Sequence, residues 1–170
     1  MAARAVTPLR RGLPPVLDAA TRVLVMGSFP GEASLAAGEY YAHPRNHFWP
    51  VMAALTGEAL HEHPYAQRIA ALRAHGIGLW DTIVACRRNG SLDAAIRDAT
   101  RAELARIRRM APQVALVAFN GTTAARAAPA FAAAGYATLA LPSTSPAHTM
   151  PFATKLAAWQ ALAERLAVAA

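Results

Sequence analysis

Four apolar runs divide the chain: Arg22–Gly27, Ile77–Ala85, Val114–Phe119 and Ala137–Leu141. Each is rich in Val, Leu or Ile and stops at Gly, Pro or polar residues. Apolar runs without alternation predict strands buried on both faces, as in a parallel sheet. Between them lie segments of helical pattern: Phe48–Leu60, Tyr65–His75, Arg101–Met110, Thr122–Ala134 and Phe152–Val168. Strands alternating with helices of this length predict an α/β three-layer α/β/α sandwich around a central, mainly parallel four-stranded sheet. No repeat or long linker interrupts the pattern. The expectation is a loosely ordered basic arm over residues 1–20 and a single domain over 21–170, large enough for one continuous core.

The unusual residues gather at the ends of these runs. Gly27-Ser28-Phe29-Pro30-Gly31 follows the first, Asp81 falls within the second, Phe119-Asn120-Gly121 ends the third, and Leu141-Pro142-Ser143-Thr144-Ser145-Pro146 ends the fourth. Open parallel sheets bind ligands beyond the carboxyl ends of their strands, so three of the four signals point to one edge.

Composition narrows the classes. Apolar residues make up 55% of the 170, which excludes a disordered chain, yet no apolar run is long enough for a membrane-spanning helix. The first fifteen residues carry arginines without the apolar stretch of a signal peptide, so the expected location is cytoplasmic. Cys86, the only cysteine, excludes an internal disulfide or a cysteine-built metal site and reads as the end of a buried strand. The net charge of +7 is almost all arginine, Lys155 being the sole lysine. Arginine suits a polyanionic partner, although an arginine-rich composition alone leaves nucleic-acid binding open.

The loop from Gly27 to Trp49 is rich in chemistry: Phe29, Tyr40 and Tyr41, then His43, Arg45, Asn46 and His47. Glycine and proline let such a loop approach a ligand closely, and aromatics offer a platform for a planar base. The loop is neither a dinucleotide fingerprint nor a lysine-bearing phosphate loop. His61 and His63, two residues apart, do not share a helical face, so neither a metal nor another cofactor is expected. In Leu141–His148, three hydroxyl residues between prolines make a rigid turn able to hold a phosphate.

Taken together, Gly27–Gly31 with Ser34, then Tyr40-Tyr41-Ala42-His43-Pro44-Arg45-Asn46 followed by Phe48-Trp49, resemble the first motif of the uracil-DNA glycosylase superfamily. The form is most similar to its hypoxanthine-DNA (deoxyinosine) glycosylase branch. Leu141–Pro146 resembles the superfamily's second motif. Leu79-Trp80-Asp81, Arg87 to Asp93, Phe119-Asn120-Gly121 and Lys155 with Trp159 also look like that branch. The resemblance spans residues 22–160. Two departures stand out: Phe29 occupies the place of a water-activating Asp or Asn, and Leu141 that of a His or Asn.

What the resemblance implies is a DNA repair enzyme that flips out a deaminated base, preferentially hypoxanthine, and hydrolyses its N-glycosidic bond without cutting the strand. Its partner is DNA containing such a base, met as a monomer. Asn46 and Asn120 carry catalysis by resemblance. Tyr41 stacks on the base, with Ser28, Phe29 and Asp81 around it, and Asp81 could instead cap a turn or pair with Arg87 or Arg88. Ser34, Ser143, Thr144, Ser145 and His148 face the DNA backbone, and Ala147, His148 or Met150 supplies the wedge. Lys155, distant in sequence from these loops, is the one candidate for Schiff-base chemistry. The competing expectations are a uracil or mismatched-thymine glycosylase and a non-catalytic sensor of damaged DNA.

Overall fold

The computed structural model describes residues 6–169. In chain order its elements are β1 (Leu9–Arg11), β2 (Val23–Gly27), α1 (Glu32–Ala37), α2 (Phe48–Thr56), α3 (Tyr65–Ala74), β3 (Ile77–Asp81), β4 (Ile83–Arg87), β5 (Arg97–Arg101), α4 (Leu104–Met110), β6 (Leu116–Asn120), α5 (Thr122–Ala125), α6 (Ala128–Ala133), β7 (Ala137–Leu141) and α7 (Phe152–Ala169). The main sheet is four-stranded and parallel, in the order β3-β2-β6-β7. Alternate residues of β2 explain its unbroken apolarity. Val23 and Val25 pack with Phe48, Trp49, Met52 and Trp159 from α2 and α7, whereas Leu24 and Met26 pack with Ile107, Ala124 and Phe131 from α4, α5 and α6. Both faces are covered, so neither needs polar residues, and the three-layer α/β sandwich is as expected.

The run Ile77–Ala85 is not one strand. β3 pairs with β2 as far as Gly27 and Asp81, and the chain then leaves the parallel sheet. Thr82 N and Ile83 N donate to Gly27 O and Ser28 O, and β4 becomes the centre of a second, antiparallel sheet, β1-β4-β5. Apolar periodicity misses this switch because both halves are buried, the second over a small cluster of Phe29, Ile83 and Cys86. Cys86 ends a buried stretch, as expected.

Residues 1–5 lie outside the described residues, but the loose arm expected over 1–20 does not hold beyond them. Leu9–Arg11 pairs with Ala85–Arg87, Val16 bridges Leu79, and Leu17 is buried. Tyr40 Oη reinforces this by donating to Pro14 O at 2.8 Å. A segment whose backbone is paired to a central strand cannot act as a free arm. The helix expected from Arg101 starts only at Leu104, since Arg97–Arg101 forms the exposed edge strand β5.

Candidate functional site

A cavity of about 310 Å³ opens at the carboxyl ends of β2, β3 and β6. It lies at the low end of the size usual for small-ligand sites. Tyr41, Asn46, Asp81 and Asn120, which the sequence distributes over eighty residues, all line it, together with Ser28 and Phe29. Each arrives there for a local reason.

Asp81 is the last residue of β3, opposite Gly27, and it is 4% exposed. The absence of a side chain at Gly27 makes this pairing possible, since a Cβ there would lie 2.6 Å from Asp81 Oδ1. Asp81 Oδ2 is buried without a hydrogen-bond partner. Neither arginine considered for it forms an ion pair with it: Arg87 pairs with Asp98 at 3.5 Å, and Arg88 donates through Nη2 to Pro30 O with its guanidinium over the Phe29 ring, leaving Nε and Nη1 without partners. Burial, helped by the nearby Asp93 charge and opposed by Arg88, raises the Asp81 carboxyl to about 7. An acid poised there can be acceptor or donor near neutral pH.

Tyr41 has a left-handed backbone, φ 55°, uncommon for an aromatic residue. Its ring stacks on Phe48, with centroids 4.0 Å apart and planes at 25°, so one face is already covered by protein. Its hydroxyl is buried beside the Asn120 amide; burial together with the Asp81 charge, opposed by Asn120, pushes the phenol well above its ordinary value. Tyr41 is therefore a neutral donor at any working pH.

Asn46 sits at the turn into α2. Its Oδ1 accepts from Phe48 N at 2.9 Å, and its main-chain N donates to His43 O. The carbonyl end is thus committed and the Nδ2 end is the group left for the cavity. Asn120, by contrast, spends both ends of its amide on one neighbour. Nδ2 donates to Thr144 Oγ1 and Oδ1 accepts from Thr144 N, each at 2.9 Å. These bonds latch the 142–148 loop, and Asn120 lines the cavity beside the Tyr41 hydroxyl.

Two expected DNA-backbone residues turn inward. Thr144 is fully buried, its hydroxyl held by Asn120 and its carbonyl accepting from His47 N at 3.0 Å. Ser34 is 6% exposed and its Oγ accepts from Ala42 N, bracing the loop across its own base. Ser143 and Ser145 are half-buried and His148 is exposed, the positions a backbone contact needs. Phe29 is mostly buried in its own cluster and meets the cavity only at the edge of that packing. Ser28 Oγ donates to Asp93 Oδ1 at 2.7 Å.

Residues 91–93 form part of the wall that chain patterning did not identify. Ser91 Oγ accepts from Glu32 N at 2.9 Å, and Asp93 lines the cavity beside Ser28. The signal lay in the Arg87–Asp93 resemblance, read for kinship and not for geometry. Lys155 was thought remote from these loops, yet α7 brings it beneath one: it is fully buried and Nζ donates to Ser145 O at 3.2 Å. It does not line the cavity. Burial lowers its pKa. Among the described residues no group of three metal-ligating side chains forms, and no helix is long and apolar enough to cross a membrane.

Known proteins are similar to this chain in sequence and in fold. The sequence profile of the Uracil DNA glycosylase superfamily matches residues 14–166. The chain is 37% identical to a protein named hypoxanthine DNA glycosylase from Methanosarcina barkeri, over 88% of this chain and 95% of the relative. A protein of the same name from Methanosarcina acetivorans is 34% identical over 91% and 98%. Among solved structures, the solution NMR structure of a protein provisionally described as a uracil DNA glycosylase from Methanosarcina acetivorans is similar. It has a TM-score of 0.85 and 34% identity, with 94% of this chain and 99% of that one covered. With a family profile spanning the whole sandwich and relatives matched almost end to end, this chain belongs to the uracil DNA glycosylase superfamily and is a DNA glycosylase.

Proposed function

We propose that the protein removes hypoxanthine in preference to other deaminated bases from DNA, by base flipping and simple hydrolysis. The observation that carries base removal is the Asp81 carboxyl, buried and unpartnered on the cavity wall. A lone acceptor there suits a deaminated base, which presents a ring N–H (N1 of hypoxanthine, N3 of uracil) where adenine and cytosine do not. The names of the two Methanosarcina relatives favour hypoxanthine among such bases.

Hydrolysis breaks the bond between C1′ and N9, water supplying the new C1′–O bond, while the base departs with the bonding electrons and then gains a proton. The sugar acquires cationic character and the base negative charge. Asn46 Nδ2, its partner oxygen fixed by Phe48 N, can donate to that developing charge or hold the incoming water. An amide is no strong base, and a dissociative route does not require one. Ser143, Ser145 and His148 lie in the loop that would grip the phosphates beside the extruded nucleotide, which costs less to extrude from a weak pair. The buried Lys155, held by Ser145 O away from the cavity, favours release of the base without a strand-cutting step. The reading has the protein working as a monomer in the cytoplasm, on nucleoid DNA.

The test is an excision panel on duplexes carrying hypoxanthine, uracil or xanthine. Hypoxanthine release that leaves an intact abasic strand is the expected result. Uracil release without hypoxanthine release would refute the preference, binding without release would leave a sensor, and a borohydride-trapped adduct would refute the monofunctional step.

A further inference from the structure

On the cavity wall, Asp81 Oδ2 is buried without a hydrogen-bond partner, and the buried Tyr41 Oη has only the Asn120 amide beside it. The other Asp81 oxygen, Oδ1, and the Tyr41 hydroxyl approach one place. A Cβ at Gly27 would lie 2.6 Å from Asp81 Oδ1 and 3.2 Å from Tyr41 Oη, so the missing side chain of Gly27 leaves room for both. We propose that Tyr41 acts through its hydroxyl, forming with Asp81 a donor–acceptor pair that reads the edge of the extruded base where a ring N–H stands beside a carbonyl. This rests on the glycosylase reading above and adds a specificity residue to it.

Stacking does not account for the hydroxyl. One face of the Tyr41 ring already lies against Phe48 at 4.0 Å, and a phenylalanine would offer the other face equally well. A buried hydroxyl whose own proton finds no acceptor in the protein carries a desolvation penalty that phenylalanine avoids. The left-handed backbone at Tyr41 adds strain that is accepted where it aims a side chain. A ligand that supplies the missing bonds removes the penalty.

The chemistry then sorts the bases. On hypoxanthine, the Asp81 carboxylate accepts from N1–H while the Tyr41 O–H donates to O6, so each group gains a partner. Adenine in the same seat sets the N1 lone pair against the carboxylate and an amine against the phenol. Uracil, guanine and thymine offer the same N–H beside C=O, so the pair selects a lactam edge over an amino edge and leaves ring size and substituents to the cavity walls. A site whose buried polar groups go unpaired by the wrong ligand discriminates far more than one shaped by contact alone.

Tyr41→Phe tests this, because it removes the hydroxyl and keeps the ring. Single-turnover excision of hypoxanthine opposite thymine is measured beside binding to a duplex with an abasic site, which has no base to read. The expected result is a loss of about tenfold or more in excision, with abasic-duplex binding within about twofold of wild type. Asp81→Asn is the second variant and should lose excision likewise, with abasic binding kept. Excision by Tyr41→Phe at the wild-type rate overturns the proposal, leaving Tyr41 as a stacking platform only. Parallel loss of excision and abasic binding overturns it too, since that marks disturbed packing. If the wild-type chain releases no base from any lesion duplex, the glycosylase reading itself fails and takes the base reader with it.

Discussion

Replacing Asp81 by Asn should change how folding stability depends on pH. In the native chain this carboxyl is held at about 7, against an ordinary value of 3.8. Between those values the folded protein keeps a proton that the unfolded chain has released. Stability is therefore fully present below about pH 4 and is lost as pH rises through 7. The shift corresponds to about 4 kcal/mol over the whole window, and to about 2–3 kcal/mol between about pH 5 and pH 8. Asp81 is 4% exposed, so solvent screening does little to reduce the figure. The asparagine variant carries no such term, although its buried amide still needs a partner and costs about 1–3 kcal/mol at every pH. Subtracting the pH 5 to pH 8 change of the variant from that of the wild type removes the constant cost and most other titrations. Urea unfolding of both proteins at the two pH values measures it. The expectation is a wild type that loses about 2–3 kcal/mol more than the variant. Parallel profiles, within about 0.5 kcal/mol, would mean that Asp81 is already ionised at pH 5 and that the burial argument is wrong.

Asn46→Ala should lower single-turnover excision by about a hundredfold or more, while binding to lesion duplexes stays near wild type. It should also cost about 1 kcal/mol of stability, because Phe48 N loses its Oδ1 acceptor. Gly27→Ala forces a methyl to within 2.6 Å of Asp81 Oδ1; the carboxyl must move, and excision should fall at least as far as in Asp81→Asn, read in the same assay. Asn120→Ala leaves Thr144 N and its hydroxyl without partners inside the protein. A stability loss of about 2–4 kcal/mol is expected from chemical unfolding, with weaker binding to abasic duplexes as the loop loosens.

The parallel sheet was readable in the sequence because burial on both faces writes itself as unbroken apolar runs, as β2 and β6 show. The second sheet was not. β5, Arg-Asp-Ala-Thr-Arg, is exposed throughout and is held by backbone pairing and the Arg87–Asp98 ion pair, neither of which leaves an apolar signature. β1 hides behind a basic stretch for the same reason. At the site, residue type and strand-end position were enough to bring Tyr41, Asn46 and Asp81 to one cavity. They could not separate Thr144 from Ser143 and Ser145. Three adjacent hydroxyls look alike in sequence, and only the turn decides that the middle one faces Asn120. Nor could they show that the Tyr41 hydroxyl is buried beside Asn120 and close to Asp81.

The tie between Asn120, Thr144 and His47 has a consequence for timing. Three hydrogen bonds join residues from three distant parts of the chain before any DNA arrives. The entropy of ordering the 142–148 loop is thus spent during folding and not at encounter. A loop set in advance makes recognition resemble a key meeting a cut lock, so the slow step of engagement falls to the nucleic acid. Lesions that leave the stack readily should be captured quickly, and those that resist extrusion should be scanned past.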